Sequence, residues 1–137
     1  MAAKQRPLRA CHPRDILDQV NFEGIYRQVP EIAGSHHEKI DGTGYPRGLK
    51  GNEIPMGAKI IAAADFFEAV TSQRHYRDPM QVGEAFRLLR EGIGTHFDRT
   101  VVEALIDCRT RAMADEERRE RDQGAEGLRP AQEIRGV

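Results

Sequence analysis

The sequence predicts an all-α fold, and three observations carry that prediction. Apolar residues recur at helical spacing in several separate segments, strand-like alternation is nowhere sustained, and glycine and proline concentrate in one long polar stretch, Asp41 to Pro55. The chain has 137 residues, which suits a single domain, and 39% hydrophobic residues, which suits one modest core with a solvated tail. Lys and Arg number 21 against 22 Asp and Glu, for a formal charge of -1, so no global electrostatic attraction toward DNA or an anionic membrane is expected. No run approaches the ~18 apolar residues of a membrane span. The first residues, MAAKQRPLRACHPRD, lack the apolar region of a signal peptide, so the expected location is cytoplasmic. Cys11 and Cys108 lie far apart in sequence and read as reduced thiols rather than a short-spaced metal motif.

The elements follow in chain order. Ile16, Leu17 and Val20 give Asp15 to Val20 a short helical pattern, with Asn21 and Gly24 as stop signals. Pro30 suits a first helical turn, so Glu31 to Glu38 reads as the second helix. The Asp41 to Pro55 stretch holds four glycines and two prolines and is a loop by turn chemistry, expected to pack against the ends of the helices on either side. Met56 to Ser72, the most apolar run, is the expected core helix. After Pro79, Gln81 to Arg90 places Val82, Phe86 and Leu89 on one face, with Gly92 and Gly94 past its end. Asp98 is placed to cap a last helix whose inner face is Val101, Val102, Leu105 and Ile106. Beyond Met113 the apolar stripe stops. Asp115 with Arg119 and Glu117 with Arg121 then have the spacing of helical ion pairs, and Gly124 to Val137 has the composition of a disordered tail.

Chemistry concentrates at His36, His37 and Asp65. Neighbouring side chains on an ideal helix point about 100° apart, so the two imidazoles are not placed to chelate one ion together. They read as ligands of neighbouring ions, as a ligand with a helper, or as exposed or locally hydrogen-bonded rings. Asp65 lies within IIAAADFFEAV, with apolar neighbours on both sides, and a buried carboxylate is costly unless it is paired or holds a metal. A salt bridge to an Arg or Lys and a metal ion are equal alternatives on this ground.

Taken together, the strings HHEKIDGTGYPRGLKGNEIP, AKIIAAADFFEAVTSQRHYR and GTHFD closely resemble the HD-GYP family, a subgroup of the HD phosphohydrolase superfamily. The resemblance runs from about His12 or Asp15 to Ile106. It implies an HD-domain-like helical bundle with a long GYP loop, two or three bound divalent metal ions, iron or manganese, and hydrolysis of cyclic di-GMP to the linear dinucleotide and in some members to GMP. Carried over by residue, it makes His36, His37 and Asp65 metal ligands, with His12 as a fourth candidate. Imidazole and carboxylate donors suit iron(II), manganese(II) and zinc alike. It assigns Arg74 and Arg77 to the substrate phosphates and Tyr45 to the nucleotide, and gives Gly42 and Gly44 turn roles.

One departure stands out: the His-Asp dipeptide that names the family, and the lysine that follows it, occur nowhere in this sequence. The resemblance therefore covers the C-terminal part of such a domain. It assigns 1–14 to a non-family N-terminus, 15–113 to a partial HD-GYP domain and 114–137 to a charged helix end and disordered tail. The implied function is a metal-dependent cyclic di-GMP phosphodiesterase, weak or inactive in this chain. The alternative is a degenerate regulatory module that binds a signalling partner, such as a diguanylate cyclase domain, through the GYP loop. Helices absent from the sequence would leave Ile60, Ile61, Phe66 and Phe67 uncovered, which makes self-association a further expectation.

Overall fold

The computed structural model describes residues 13–126. The described residues form helices α1 (Pro13–Leu17), α2 (Val29–Ser35), α3 (Met56–Thr71), α4 (Val82–Glu91) and α5 (Arg99–Glu126), with short 3-10 turns at Gly24–Gln28 and Gly51–Glu53. They contain no strand. Asp41 with Lys50, Arg74 with Arg77, and Ile93 with Phe97 form isolated bridges that close loops. The all-α expectation holds. The chain divides into two compact units, Met1–Glu103 and Ala104–Val137, with the division inside α5.

Within the first unit α2 packs against α1 and α3, and α3 packs against α4. Small residues make the close contacts: Ala58 and Ala63 of α3 and Ala85 of α4 are buried, together with Val70, Leu89, Phe97, Val101 and Val102. Aromatic pairs extend this core, Phe66 against Phe97 at 5.3 Å and Phe67 stacked on Phe86 at 5.8 Å between ring centroids. This corrects part of the expected apolar exposure. Phe66, Phe67 and Ile61 are half-buried, whereas Ile60 is 51% exposed and Met56, one turn earlier, 52%.

Helix limits differ from the sequence reading mainly at α1 and α2. The first helix ends at Leu17 and continues as a turn, in which the Val20 amide donates to the Leu17 carbonyl. Helix α3 stops where Ser72 caps it, its amide donating to the Glu68 carbonyl and its hydroxyl to the Glu68 carboxylate. Asp98 caps α5 as expected, its Oδ1 accepting from the amides of Thr100 at 2.9 Å and Val101 at 3.3 Å. Its other oxygen accepts from Lys59 Nζ at 3.2 Å, and Lys59 is only 7% exposed. One carboxylate therefore both caps α5 and neutralises a buried ammonium on α3.

In the second unit, Arg111 pairs with Asp107 at 2.7 Å, Arg121 with Glu117 at 4.0 Å, and the Thr110 hydroxyl donates to the Ile106 carbonyl. These ion pairs are exposed and stabilise the helix little. The Cys108 thiol is free and exposed, and Cys11 lies outside the described residues. Gly124 to Glu126, expected in the tail, belong to α5, and the rest of the expected tail lies outside the described residues. No described helix is long and apolar enough to cross a membrane.

Burial of Asp98 opposes its ionisation. The Lys59 and backbone hydrogen bonds, with the lysine charge, outweigh that and hold its pKa below the usual carboxylate value. A carboxylate with a depressed folded pKa contributes stability above its unfolded pKa of ~3.9, and that stability is lost as pH falls through the folded value. Asp98→Ala should cost about 3 kcal/mol at neutral pH by urea denaturation, because it removes the cap and strands Lys59. The difference in melting temperature between wild type and Asp98→Asn should shrink as pH drops below about 4.

Candidate metal centre

Helix α2 begins with Pro30 in its first turn and ends at Ser35, so His36 is the C-cap (φ -72°, ψ -10°) and His37 lies beyond the helix. This corrects the helix expected to run to Glu38, and it removes the angular obstacle to the histidine pair. Outside regular helix the two rings approach to 4.0 Å between centroids, tilted by 42°. His36 Nδ1 lies 2.6 Å from the Ala33 carbonyl oxygen. A carbonyl oxygen only accepts, so Nδ1 is the donor here, and in the neutral ring that leaves the Nε2 lone pair for a metal or a hydrogen-bond donor. His36 is half-buried and His37 is exposed, its ring stacked on Tyr45 at 4.9 Å and 21°.

The loop that presents Tyr45 is held from beneath by Glu38, which is 3% exposed. Glu38 Oε1 accepts from the Arg47 amide at 2.7 Å and Oε2 from the Leu49 amide at 2.9 Å. The Arg47 guanidinium reaches back to α2, donating to the Glu31 carboxylate and, at 3.1 Å, to the buried Ser35 hydroxyl. Glu31 also pairs with Arg14 of α1 at 2.8 Å. The hydrogen bond from Arg47, aided by the charges of Arg14 and Arg47, overcomes partial burial and holds the Glu31 pKa below its ordinary value. The loop mouth is closed by the bridge between Asp41 and Lys50, and the Asp41 amide donates to the Thr95 carbonyl. Asp41 Oδ1 accepts from the hydroxyl and amide of Thr43, which lower its pKa.

Two glycines have distinct physical roles here. Gly42 has φ +82°, a conformation that side chains disfavour. Gly44 matters for space: a Cβ there would lie 2.6 Å from both Glu38 Cα and the His37 carbonyl oxygen, and closer still to the Lys39 nitrogen. Next along the chain, the Tyr45 amide donates to that His37 carbonyl at 3.3 Å.

The other expected site residues are placed differently. Asp65 is exposed on α3 rather than buried. Among the described residues no group of three or more His, Cys, Asp and Glu is placed to hold a metal ion, so Asp65 does not converge on the two histidines as a three-donor set. The apolar residues beside it in sequence do not enclose its carboxylate. His12 lies outside the described residues. Arg74 pairs with Glu68 at 3.2 Å, and Arg77 donates to the Ala69 carbonyl at 2.9 Å, so both arginines fasten the turn after α3 to that helix. The sequence reading passed over Glu38, Ser35 and Arg47. The available signal was a carboxylate immediately before a long irregular segment, whose backbone amides must find acceptors.

The family described as HD domain matches residues 4–101, more than half of the chain. The chain belongs to the HD domain family. Its GYP loop places it in the HD-GYP group of that family. It is 47% identical over 76 residues to a probable cyclic di-GMP phosphodiesterase of Vibrio cholerae, covering 56% of this chain and 17% of that protein. It is 45% identical over 93 residues to a cyclic di-GMP phosphodiesterase of Thermotoga maritima, covering 68% of this chain and 25% of that one. A crystal structure of a cyclic GMP-AMP specific phosphodiesterase from V. cholerae superposes with a TM-score of 0.54 at 25% identity, over 69% of this chain and 21% of that chain. This HD-domain chain thus spans a quarter or less of the length of these relatives.

Because the atoms facing Gly44 are all backbone, they cannot swing aside. Gly44→Ala should lower stability by about 2 kcal/mol in urea denaturation and release the Tyr45 ring from His37, seen as a loss of the contact between their ring protons in NMR spectra.

Proposed function

We propose that this chain carries the GYP-loop portion of a metal-dependent cyclic di-GMP phosphodiesterase site. The observation that carries the reading is the histidine pair at the end of α2: two rings at 4.0 Å, with the His36 proton fixed on Nδ1 by the Ala33 carbonyl. A hydrogen bond of this kind orients imidazoles that ligate metals and fixes their tautomer. His36 and His37 would hold iron(II) or manganese(II), and Asp65, which is not grouped with them here, is the carboxylate donor that the family resemblance would bring to the ion in the joined domain. When bound, such an ion would polarise a phosphate and lower the pKa of its water toward ~7. That chemistry needs no serine or cysteine nucleophile.

This chain's own part is to hold and orient. Tyr45 offers a ring face beside the histidines for the nucleotide, and Arg74 and Arg77 are the donors proposed for its phosphates. The Arg74 pair with Glu68 is exposed and weak in water, so a phosphodiester can compete for that guanidinium. The His-Asp pair and its lysine are absent from the sequence. With the donors that remain, turnover by this polypeptide is expected to be negligible. A second reading, a regulatory module recognised through the loop by a signalling protein, is favoured by the 58% exposure of Tyr45.

Purified chain supplied with manganese(II) or iron(II) should therefore release almost no linear dinucleotide from cyclic di-GMP in a chromatographic assay. Joining to it the family helices that carry the His-Asp pair should restore turnover. His37→Ala or Asp65→Ala in that joined protein should reduce turnover by more than the ~10–100-fold typical of losing a residue that only orients a ligand. Robust turnover by the 137-residue chain alone would overturn the requirement for the His-Asp pair. Failure of the joined protein would favour the regulatory reading.

A further inference from the structure

We propose that Glu38 is the positioning residue of this site, a buried carboxylate that fixes the GYP loop so that Tyr45 stays stacked on His37, rather than a third donor beside the imidazoles. Glutamate is almost never fully buried without partners. Here the partners are main-chain amides of the loop itself, Arg47 and Leu49, nine and eleven residues further along the chain. Each carboxylate oxygen takes one of them. These amides belong to a segment with no helix or sheet ladder to satisfy them, so the carboxylate supplies what regular structure otherwise would.

The consequence reaches the histidines through two short steps. The Arg47 and Leu49 amides sit just past Tyr45 and Pro46, and the Tyr45 amide itself is tied back to His37 by one bond of 3.3 Å. Glu38 therefore provides the stronger anchor on the far side of Tyr45, while Gly44 lies flat on the Glu38 backbone on the near side. With both sides held, the Tyr45 ring covers one face of the His37 imidazole and limits its rotation. A ligating side chain whose rotamer is locked by its surroundings is what a metal site requires.

The role of the imidazoles comes from the function proposed above, but the test needs neither metal nor substrate. Two-dimensional NMR of the full chain is recorded for wild type, Glu38→Gln and Lys59→Met, the last being a variant that removes the Lys59–Asp98 pair and leaves the bonds of Glu38 to Arg47 and Leu49 in place. In wild type the Arg47 and Leu49 amide protons should exchange at least about tenfold more slowly than in an unstructured chain, as expected for bonds to a charged acceptor. The His37 ring protons should be shifted upfield by the Tyr45 ring. Glutamine keeps one acceptor oxygen, so Glu38→Gln should leave at most one of the two amides protected and abolish the upfield shift. Lys59→Met should lower the melting temperature and leave both signals in place.

Unprotected Arg47 and Leu49 amides in the wild type would overturn the proposal. So would a Glu38→Gln protein that keeps both signals, or a Lys59→Met protein that loses them. If the signals behave as expected while the joined protein described above hydrolyses no cyclic dinucleotide, the phosphodiesterase reading falls and the assignment of Glu38 stands.

Discussion

An irregular backbone segment laid against a helix end has amides that water no longer serves, and each needs an acceptor from somewhere. In this chain the acceptor is the carboxylate of Glu38, and most of the site hangs on that pairing. Because the loop is drawn down onto the residues after α2, only a glycine fits at position 44. The same approach lets Arg47 reach Glu31 and Ser35, and it lays Tyr45 over His37. Through Glu31 the anchoring extends to Arg14, so α1, α2 and the loop share one network of charge-assisted bonds. The α1, α2 and loop contacts are thus organised by side chains with formal charge, while α3 and α4 pack through small buried residues.

Much of the fold was legible because its signals are local. The Asp98 cap, the start of α3 after Pro55, and the burial of Leu89, Val101 and Val102 follow from spacing and capping chemistry alone. The end of α2 was not legible, since nothing in the string GSHHE forbids another helical turn. What stops the helix is tertiary: Ser35 is buried against Arg47, and Glu38 is engaged by the loop. The environment of Asp65 was hidden for a different reason. Helix α3 is apolar on nearly every side, so periodicity cannot say which side is covered. Met56, Ile60, Ala64 and Glu68, spaced four residues apart, are all exposed.

The histidine pair stands out in the sequence, but the closeness of its two rings does not. Reasoning from ideal helical positions set the imidazoles apart, and the structure brings them together by ending the helix one residue before them. The arginines of the turn after α3 show the converse. The family resemblance assigned them to the substrate phosphates, yet Arg77 is occupied with the Ala69 carbonyl and Arg74 with Glu68. The resemblance named these groups, and their present partners are visible only in three dimensions.

The contacts by which Glu38 anchors the loop and the buried ion pair of the core differ greatly in reach along the chain. Glu38 meets its two amides across 9 and 11 residues, whereas Lys59 meets Asp98 across 39. Closing a short loop gives up less chain entropy, and contacts of low sequence separation form faster. The segment from α2 to Pro55 is therefore suited to take shape early, as a local nucleus on which the helices that follow it can condense. In this domain the histidine pair and Tyr45 lie in a stretch that the polypeptide can assemble largely from nearby residues.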